Sequence, residues 1–377
     1  MVIREITEND IEQSARCAVQ AFGGGLTDED LKMPKERIVA AFDDSGNLMS
    51  QIEVTDFYNF FGKGKLKCAG VGGVATLAQY RRKGTIRALF ESVSAEDYDI
   101  SILYPFSSAY YRKFGYETAG EYITLEVALG EIEAEYSGNV ELAENENFDT
   151  LLSLYNKLAK RYNLCFERKD DRYFNLSPFK TSDYTYMSKN DKGEYDGYVS
   201  FSLQRKDKLL RVKEIMAETR PALLNLLGYL KMYEGTVDRI LFEKLPASSP
   251  VIYAVANEQN AKRTMGCIGA VRIVNFKNVF AKKAWPIQGG TFSFEIDDII
   301  PKNKGKYIIE YGKGEHSIKE YDGKPDFVFD AAAMSKIFLC GVSAAVLPYM
   351  RGVTINSNNP DLYKAFPVEN TFYNDSF

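Results

Sequence analysis

A short basic turn between two structured segments constrains the fold of this chain more than any other feature. Residues 68–77 are rich in β-forming side chains and predict a strand, and residues 85–97 predict a helix. The turn at 81–84 reads Arg-Arg-Lys-Gly. Backbone N–H groups at a helix N-terminus, the positive end of the helix dipole and flanking cations together attract an anion. We interpret this stretch as a pyrophosphate cradle at the end of a strand, with a solvated basic turn as the alternative.

The spacing of this turn differs from the two commonest phosphate-binding motifs. The chain contains neither Gly-x-x-x-x-Gly-Lys-Ser/Thr nor Gly-x-Gly-x-x-Gly. Further along, residues 99–106 predict a buried strand. Residues 107–116, Ser-Ser-Ala-Tyr-Tyr-Arg-Lys-Phe-Gly-Tyr, predict a short helix that ends in a turn. The region 65–116 therefore predicts strand, helix, strand and helix in succession, which is an α/β arrangement.

These two segments, in this order, resemble the GNAT acetyltransferases, whose acetyl-CoA loop is usually written Arg/Gln-x-x-Gly-x-Gly/Ala. Over its whole length the chain is similar to the Eis-type (enhanced intracellular survival) GNAT N-acetyltransferases. The motifs that carry the likeness are Phe22-Gly23, the loop at 81–87, the turn at 111–116 and the terminal Phe377. Ile86, at the position usually given as Gly/Ala, agrees with this subfamily, which often has an aliphatic residue there.

The resemblance implies an α/β (α+β) fold with three domains in tandem. A GNAT acetyl-CoA-binding catalytic domain is expected at 1–140 and a second, divergent GNAT-like domain at 141–280. A domain similar to sterol carrier protein is expected at 281–377, ending in the active-site C-terminus. The acidic, weakly patterned stretch 131–147 is the best candidate for the first boundary.

The resemblance also implies the site residues. Acetyl-CoA is expected to bind along Val74, Ala75, Thr76, Arg82, Lys83, Gly84, Thr85, Ile86, Arg87 and Ser107. Tyr111 matches the family tyrosine that protonates the departing thiolate, and the α-carboxylate of Phe377 is the expected base. Phe22 and Asp28 are expected to contact the amine. The alternatives are a packing role for Tyr111, a frayed terminus at Phe377 and a solvated helix start at Asp28.

The implied activity is acetyl-CoA-dependent N-acetylation of primary amines, such as aminoglycosides, polyamines or lysine-like acceptors. Transfer is expected to be direct, within a ternary complex, and without a metal. The family resemblance further implies a homo-oligomer, with a hexamer as one possibility. The alternative from another class is a non-catalytic protein that senses CoA or binds a lipid in its sterol-carrier-like domain.

Composition excludes several other functions. A chain of 377 residues predicts two or three domains, and its net charge of −5 argues against nucleic acid and mildly favours cationic partners. The single histidine, His316, cannot make a multi-histidine zinc site, and we expect it in a surface turn. The five cysteines lack metal-ligand spacing and are expected to be reduced. Without a signal peptide or a membrane-length apolar run, we expect a cytoplasmic protein that has no membrane partner.

The middle and C-terminal regions have weaker patterns. Two strands are predicted at 195–203 and 209–217, and a helix is predicted to begin at Thr219 with Pro221 near its start. This order of strands and helix is that of a second GNAT-like unit. This unit lacks a basic glycine loop, so we predict that it binds no CoA. Further strands are predicted at 290–297, 306–311 and 319–321, and helices at 330–339 and 361–366. We favour a scaffold role over lipid carriage for this last region.

Overall fold

The computed structural model describes residues 1–170 and 183–375. Runs of two to four strands are separated by single α-helices along much of the chain. The strands are β1 Val2–Glu5, β2 Arg37–Phe42, β3 Leu48–Phe61, β4 Gly64–Thr76, β5 Ile100–Leu103, β6 Glu117–Ala128, β7 Val140–Leu142, β8 Asp183–Lys189, β9 Tyr195–Gln204, β10 Leu209–Ala217, β11 Arg239–Pro246, β12 Lys262–Ile273, β13 Gly290–Asp297, β14 Gly305–Gly312, β15 Glu315–Glu320, β16 Phe327–Asp330 and β17 Val353–Ile355. The α-helices are α1 Ile11–Phe22, α2 Thr85–Ala95, α3 Ser108–Tyr111, α4 Phe148–Ala159, α5 Arg220–Lys231, α6 Phe276–Lys282, α7 Ala331–Cys340 and α8 Asp361–Ala365.

The chain forms two compact units that are not consecutive in sequence. The first unit combines Met1–Ala119 with Ile268–Glu369, and the second combines Gly120–Cys267 with Asn370–Asp375. The chain therefore leaves the first unit, returns to it, and ends its described part in the second. The limits at 140 and 280 expected from the sequence stay a prediction.

The first unit contains a mixed sheet in the order β1-β2-β3-β4-β5-β12. Neighbouring strands are antiparallel except β4 and β5, which are parallel and are joined through helix α2. The turn of the β2–β3 hairpin is held by Asp43, whose carboxylate accepts hydrogen bonds from the backbone N–H groups of Ser45 and Asn47 at 2.9 Å.

Helix α2 packs on this sheet through one face. Ile86, Leu89, Phe90 and Val93 are buried and repeat at the three- and four-residue spacing of a helix. They belong to a core cluster that also contains Val71 of β4. Burial of this face fixes the start of α2 at the end of β4, which is what positions the candidate site.

The first unit also contains a five-stranded sheet in the order β15-β14-β13-β16-β17. Its interior is aromatic: Phe280, Phe294, Phe338 and Phe366 are each 1% exposed or less. The ring centroids of Phe338 lie 4.8 Å from those of both Phe280 and Phe366. Large, rigid rings in contact fill the space between the sheet and helices α6 to α8.

The second unit repeats the strand–helix pattern with the order β6-β11-β10-β9-β8-β7. Strands β10 and β11 are parallel and are connected through helix α5. The predicted N-cap is confirmed, because the Thr219 side chain accepts a hydrogen bond from the Ala222 N–H at 3.3 Å. Leu226, Leu227 and Leu230 of α5 are buried against the sheet.

Two local predictions for the C-terminal region are wrong. The strand expected at 319–321 spans Glu315–Glu320 instead, because Lys313 and Gly314 have positive φ and turn the chain earlier. His316 consequently lies in β15 rather than in a turn. Its ring stacks on Trp285 with centroids 4.8 Å apart, and burial lowers the pKa of the imidazole.

Within residues 1–170 and 183–375, no three His, Cys, Asp or Glu side chains are grouped so that they could hold a metal ion. None of the helices there is both long and apolar enough to cross a membrane. All five cysteines are free thiols, and Cys267 is the exposed one.

Candidate active site

The candidate site begins where strand β4 separates from β5. Their parallel pairing ends at Val71↔Leu103, whereas β4 continues to Thr76. On its other side β4 stays paired with β3, at Gln51↔Ala75 and Ser50↔Thr76. Within the described residues, the last part of β4 therefore has an open edge whose backbone groups are available to a ligand.

A bulge at Gly73 and Val74, which lie opposite the single residue Ile52, shapes this part of β4. The β3–β4 register shifts between Gln51 and Glu53, and Gly73 has a φ of +53°. A Cβ atom at Gly73 would lie only 2.4 Å from Oε1 of Glu53, so the close approach requires glycine. Burial, with a smaller contribution from Glu36, raises the pKa of the Glu53 carboxyl group.

The predicted strand, basic turn and helix are present. Gly84 is the N-cap of α2 with a φ of +78°, and no side chain of the described residues caps this helix start. The first hydrogen bond into the helix runs from the Ala88 N–H to the Gly84 carbonyl at 3.1 Å. The N–H groups of the residues between Gly84 and Ala88 are thus left for an external acceptor, which is the arrangement that binds phosphate.

A cavity of about 970 Å³ extends from this helix start along β4. Its volume is at the upper end of the range typical of cofactor sites. Of the residues predicted to bind ligand, the cavity is lined by Phe22, Val74, Thr76, Arg82, Gly84, Thr85, Ile86 and Arg87. The residues that the family resemblance implies thus make up most of the β4 and α2 wall of this cavity.

Four other predicted residues do not line the cavity. Ala75 is buried in a cluster with Ile6 and Cys17, because alternate residues of a strand face opposite sides. Lys83 lies over the ring of Tyr80, 4.9 Å from its centroid. Ser107 caps helix α3 by accepting a hydrogen bond from the Tyr110 N–H at 3.3 Å, and Asp28 is exposed in a turn.

The opposite wall was not predicted as binding residues. It comprises Phe106, Tyr110, Lys113 and Phe114, and the cavity also reaches Ala21 and Arg81. Positions 106, 110, 113 and 114 follow the i, i+4, i+7, i+8 spacing of one helical face. That spacing is a signal from which the wall could have been identified.

Tyr111, the expected general acid, lies directly behind this wall. It is 4% exposed and packs edge-to-face against Phe90, Phe106, Tyr110 and Tyr116, with ring centroids 5.1 to 6.3 Å apart. Burial, assisted by Tyr110, raises the pKa of the Tyr111 phenol to about 12. The phenol is therefore protonated at neutral pH and has a proton that it can donate.

The mouth of the cavity is positively charged. Arg81, Arg82, Arg87 and Lys113 line it, and none of the four forms an ion pair with another described residue. The chain as a whole carries a net charge of −5, so this cluster is a local exception. Four unpaired cations at a helix N-terminus suit a ligand with several phosphate charges.

The expected base, Phe377, lies outside the described residues. The chain leading to it is well anchored within the second unit. The Asp375 carboxylate accepts hydrogen bonds from Nε and Nη2 of Arg168 at 2.8 and 2.6 Å, and Arg168 also pairs with Glu214 at 2.9 Å. Tyr373 is fully buried beside Gly120, where a Cβ would lie 2.4 Å from its ring.

Comparison with known families agrees with this geometry. Residues 2–119 and residues 164–273 each match a family described as an acetyltransferase (GNAT) domain. Residues 277–373 match a sterol carrier protein domain. The chain therefore contains two GNAT acetyltransferase domains followed by a sterol-carrier-like domain, which confirms the predicted fold class. GNAT domains use acetyl-CoA, for which the cavity beside β4 is suited.

Several solved structures share the complete fold. A probable N-acyltransferase of unknown function from Enterococcus faecalis V583 superimposes with a TM-score of 0.85 at 18% identity, covering 100% of this chain and 99% of that chain. A GCN5-related N-acetyltransferase from Anabaena variabilis gives 0.84 at 19% identity, and Eis1 from Mycobacterium abscessus gives 0.81 at 18%, each with 100% coverage of both chains. No curated protein sequence matches the chain. At these identities the likeness concerns the fold.

Proposed function

We propose that this protein transfers the acetyl group of acetyl-CoA to a primary amine, in the manner of the Eis-type acetyltransferases. The observation that carries the proposal is the open edge of β4 running into an uncapped helix start with four unpaired cations around it. The proposed acceptors are cationic amines of the aminoglycoside, polyamine or lysine class. The negative net charge of the chain and the Eis1 fold likeness support this choice.

The proposed reaction is a direct transfer within a ternary complex. The neutral amine attacks the thioester carbonyl, forming the N–C bond, and the C–S bond then breaks as the tetrahedral intermediate collapses. Backbone N–H groups at the open end of β4, from Val74 to Thr76, are suited to hold the carbonyl oxygen as it becomes negative. The amine proton passes to a base, and the departing thiolate receives a proton from an acid.

We assign the acid to Tyr111 and the base to the α-carboxylate of Phe377. The support for Tyr111 is its position next to the cavity wall and a pKa of about 12, which keeps the phenol protonated. The support for Phe377 is the family resemblance, together with the buried attachment of the residues just before it. Tyr110, which lines the cavity itself, is the competing candidate for the acid.

The resemblance also suggests the assembly, and we propose a homo-oligomer, with a hexamer as the first state to test. From net charge and hydropathy we propose that it acts in the cytoplasm without nucleic-acid or membrane partners. Size-exclusion chromatography with light scattering measures the oligomeric state directly.

Lipid carriage by the sterol-carrier-like domain is not favoured. Its interior is filled by rings in contact, among them Phe280, Phe338 and Phe366, each 1% exposed or less. Accommodating a lipid there would require these rings to separate, which costs the packing that holds the domain together. We therefore regard the domain as a scaffold.

The test is release of free CoA thiol from acetyl-CoA with a panel of polyamines, aminoglycosides and lysine peptides. The parent protein, Tyr111→Phe, Tyr110→Phe and a deletion of Phe377 are compared. Turnover in the parent, with collapse in Tyr111→Phe and in the deletion but not in Tyr110→Phe, is the expected result. Activity that survives the deletion would remove the tail carboxylate as base. Acetyl-CoA binding without turnover on any amine would contradict the proposed acceptor class.

A further inference from the structure

A second cavity, of about 460 Å³, lies within the second unit. It is lined by the ends of β10 and β11 and by the first residues of α5, the place where an α/β fold with parallel strands binds its ligands. Its volume is within the range of small-molecule sites. The cavity is thus the second GNAT domain's equivalent of the acetyl-CoA cavity in the first.

The local backbone excludes a pyrophosphate ligand at this cavity. Only Glu218 and Thr219 connect β10 to α5, whereas residues 77–84 connect β4 to α2. The Thr219 side chain already accepts a hydrogen bond from Ala222, and Pro221 has no N–H to offer. The helix start therefore lacks the free donors that make the first cavity a phosphate site.

The walls of the second cavity are mostly apolar. They include Ile215 and Met216 of β10, Leu223 and Leu224 of α5, Val251, and Phe372 from the returning C-terminal segment. Such a surface is suited to a hydrocarbon body, since contact with it removes apolar ligand surface from water.

Cationic charge around the cavity is only partly neutralised. Its two carboxylates are already paired, Glu214 with Arg168 at 2.9 Å and Glu218 with Lys157 at 2.7 Å. Arg161 donates hydrogen bonds to the backbone carbonyls of Ala217 and Glu218, at 2.8 and 2.9 Å. Because these carbonyls carry no formal charge, the positive charge of Arg161 stays uncompensated.

Two further cations line the same cavity. Arg220, at the first position of α5, and Lys244, on β11, form no ion pair with any residue in the described part of the chain. Lys244 is close enough to Asp375 to lower the pKa of that carboxyl group, although burial raises it overall. After this balance, Arg161 and Arg220 remain as two exposed, uncompensated guanidinium groups.

We propose that this cavity binds a small apolar carboxylic acid as its carboxylate. The hydrocarbon body contacts the apolar wall, and the carboxylate pairs with the guanidinium of Arg220, with Arg161 beside it. Guanidinium groups bind carboxylates through paired hydrogen bonds, which favours them over neutral or cationic head groups. The proposed site is separate from acetyl transfer and does not depend on the proposed function.

The test is calorimetric titration of the full-length chain with decanoate, decanol and decylamine, which share one hydrocarbon chain and differ in charge. We expect decanoate to bind and both other probes to bind about tenfold more weakly or worse, in line with a charge-assisted pair. Equal binding of decanol, or no binding of decanoate, would overturn the proposal.

Variants assign the binding to this cavity. Arg220→Gln should weaken decanoate binding about fivefold or more, whereas Arg205→Gln, an exposed arginine outside the cavity, should leave it unchanged. Leu224→Trp should block the cavity. If the circular dichroism spectrum shows that Leu224→Trp disturbs the fold, the binding measured for Arg220→Gln alone tests the site. Decanoate binding that is unchanged in Arg220→Gln would place the acid elsewhere and refute the site.

Discussion

At the scale of single residues, the adjacent Tyr110 and Tyr111 differ in their surroundings. Tyr110 lines the first cavity, whereas Tyr111 is enclosed by four aromatic rings. Enclosure in a low-dielectric setting keeps the Tyr111 phenol neutral and strengthens any hydrogen bond that it donates. Tyr111 is therefore a poor nucleophile or base, and its phenol stays protonated, as a general acid must be before it reacts.

Replacing Tyr111 by Phe should lower kcat about 100-fold or more, because loss of a general acid costs this much, while leaving the KM for acetyl-CoA nearly unchanged. Steady-state kinetics separate the two constants. Tyr110→Phe serves as the control, since it keeps the aromatic wall and removes only the neighbouring hydroxyl. A larger fall of kcat in the Tyr110 variant would transfer the acid role to that residue.

The raised pKa of Tyr111 also predicts how the reaction depends on pH. With a pKa of about 12, Tyr111 stays protonated up to about pH 11, so it should add no descending limb to the kcat profile below that pH. The raised pKa favours the neutral phenol in the folded state. Its contribution to stability is therefore complete below the ordinary tyrosine pKa and is lost as the pH rises through about 12. Kinetics from pH 6 to 10.5 test the first statement, and a descending limb that disappears in Tyr111→Phe would contradict it.

At the scale of elements, two glycines at helix ends have different surroundings. Gly84 begins α2 with a φ of +78° and open space at its Cβ position. Gly341 ends α7 with a φ of +74°, and its Cβ would lie 1.7 Å from the Pro367 carbonyl oxygen. Both positions have a positive φ, which favours glycine, but only at Gly341 would a side chain also collide with neighbouring backbone.

Gly341→Ala should therefore lower the free energy of unfolding by about 3 kcal/mol or more, combining backbone strain with overpacking. Gly84→Ala should lower it by about 1 kcal/mol through strain alone. Denaturant titration followed by circular dichroism measures both variants. Similar losses in the two would show that the contact with Pro367 is unimportant. Gly84→Ala should additionally weaken acetyl-CoA binding, because the backbone approaches the proposed phosphate site there.

A buried ion pair joins strand β12 to the segment after β13 inside the first unit. Arg272 and Asp298 are 1% and 6% exposed, and the guanidinium donates to the carboxylate. Burial lowers the pKa of Arg272, and its Nε and Nη1 have no partner among the described residues. The carboxylate is thus the main compensation for a charge held away from water.

Asp298→Asn should destabilise the protein by about 3–5 kcal/mol, since it leaves the Arg272 charge uncompensated. The exposed pair between Glu12 and Arg16 on α1 supplies the control, and Glu12→Gln should change stability by less than about 1 kcal/mol. Urea unfolding curves report both values. A loss below 1 kcal/mol in Asp298→Asn would mean that water or a rearranged donor set already compensates Arg272.

At the scale of the whole molecule, the chain has a net negative charge, but the mouth of its first cavity is positively charged. Raising NaCl from 50 to 500 mM should increase the KM for acetyl-CoA severalfold, because the Debye length falls from about 14 to about 4 Å. Arg87→Gln should raise the KM at low salt and reduce this salt dependence, while Arg205→Gln should keep the parent slope. A KM that is independent of salt would exclude charge attraction as a major part of binding.

The C-terminal segment is predicted to have two separable roles. Removing residues 376–377 should abolish acetyl transfer with little change in thermal stability. Removing residues 370–377 should also destabilise the fold by about 3 kcal/mol or more, since Arg168 loses Asp375 and the sheet-like contacts of Asn163 with Asn370 and Phe372 disappear. Thermal melts and thiol-release assays on both truncations separate the roles. Equal destabilisation by the two would give the last residues a structural role instead.

Local sequence was sufficient for much of the fold and for the basic turn that lines the candidate cavity. The β4–turn–α2 segment and the helix starts at Thr219 and Asp330 were all predicted. The Asp330 side chain caps its helix by accepting a hydrogen bond from the Ala333 N–H at 2.7 Å. Each depends on residues within about one helical turn, so nearby side chains determine it. The strand at 290–297 was likewise predicted at its observed limits.

What the sequence by itself determined is therefore the local order of strands, turns and helices, and the cationic turn that the site is built around. Only the tertiary structure decided that Tyr110 rather than Tyr111 lines the cavity, that His316 stacks on Trp285, and that residues Asn370–Asp375 return to the second unit. The physical reason is the separation in sequence between the residues that interact. Side-chain direction and burial depend on partners far away in sequence, and no local periodicity specifies them.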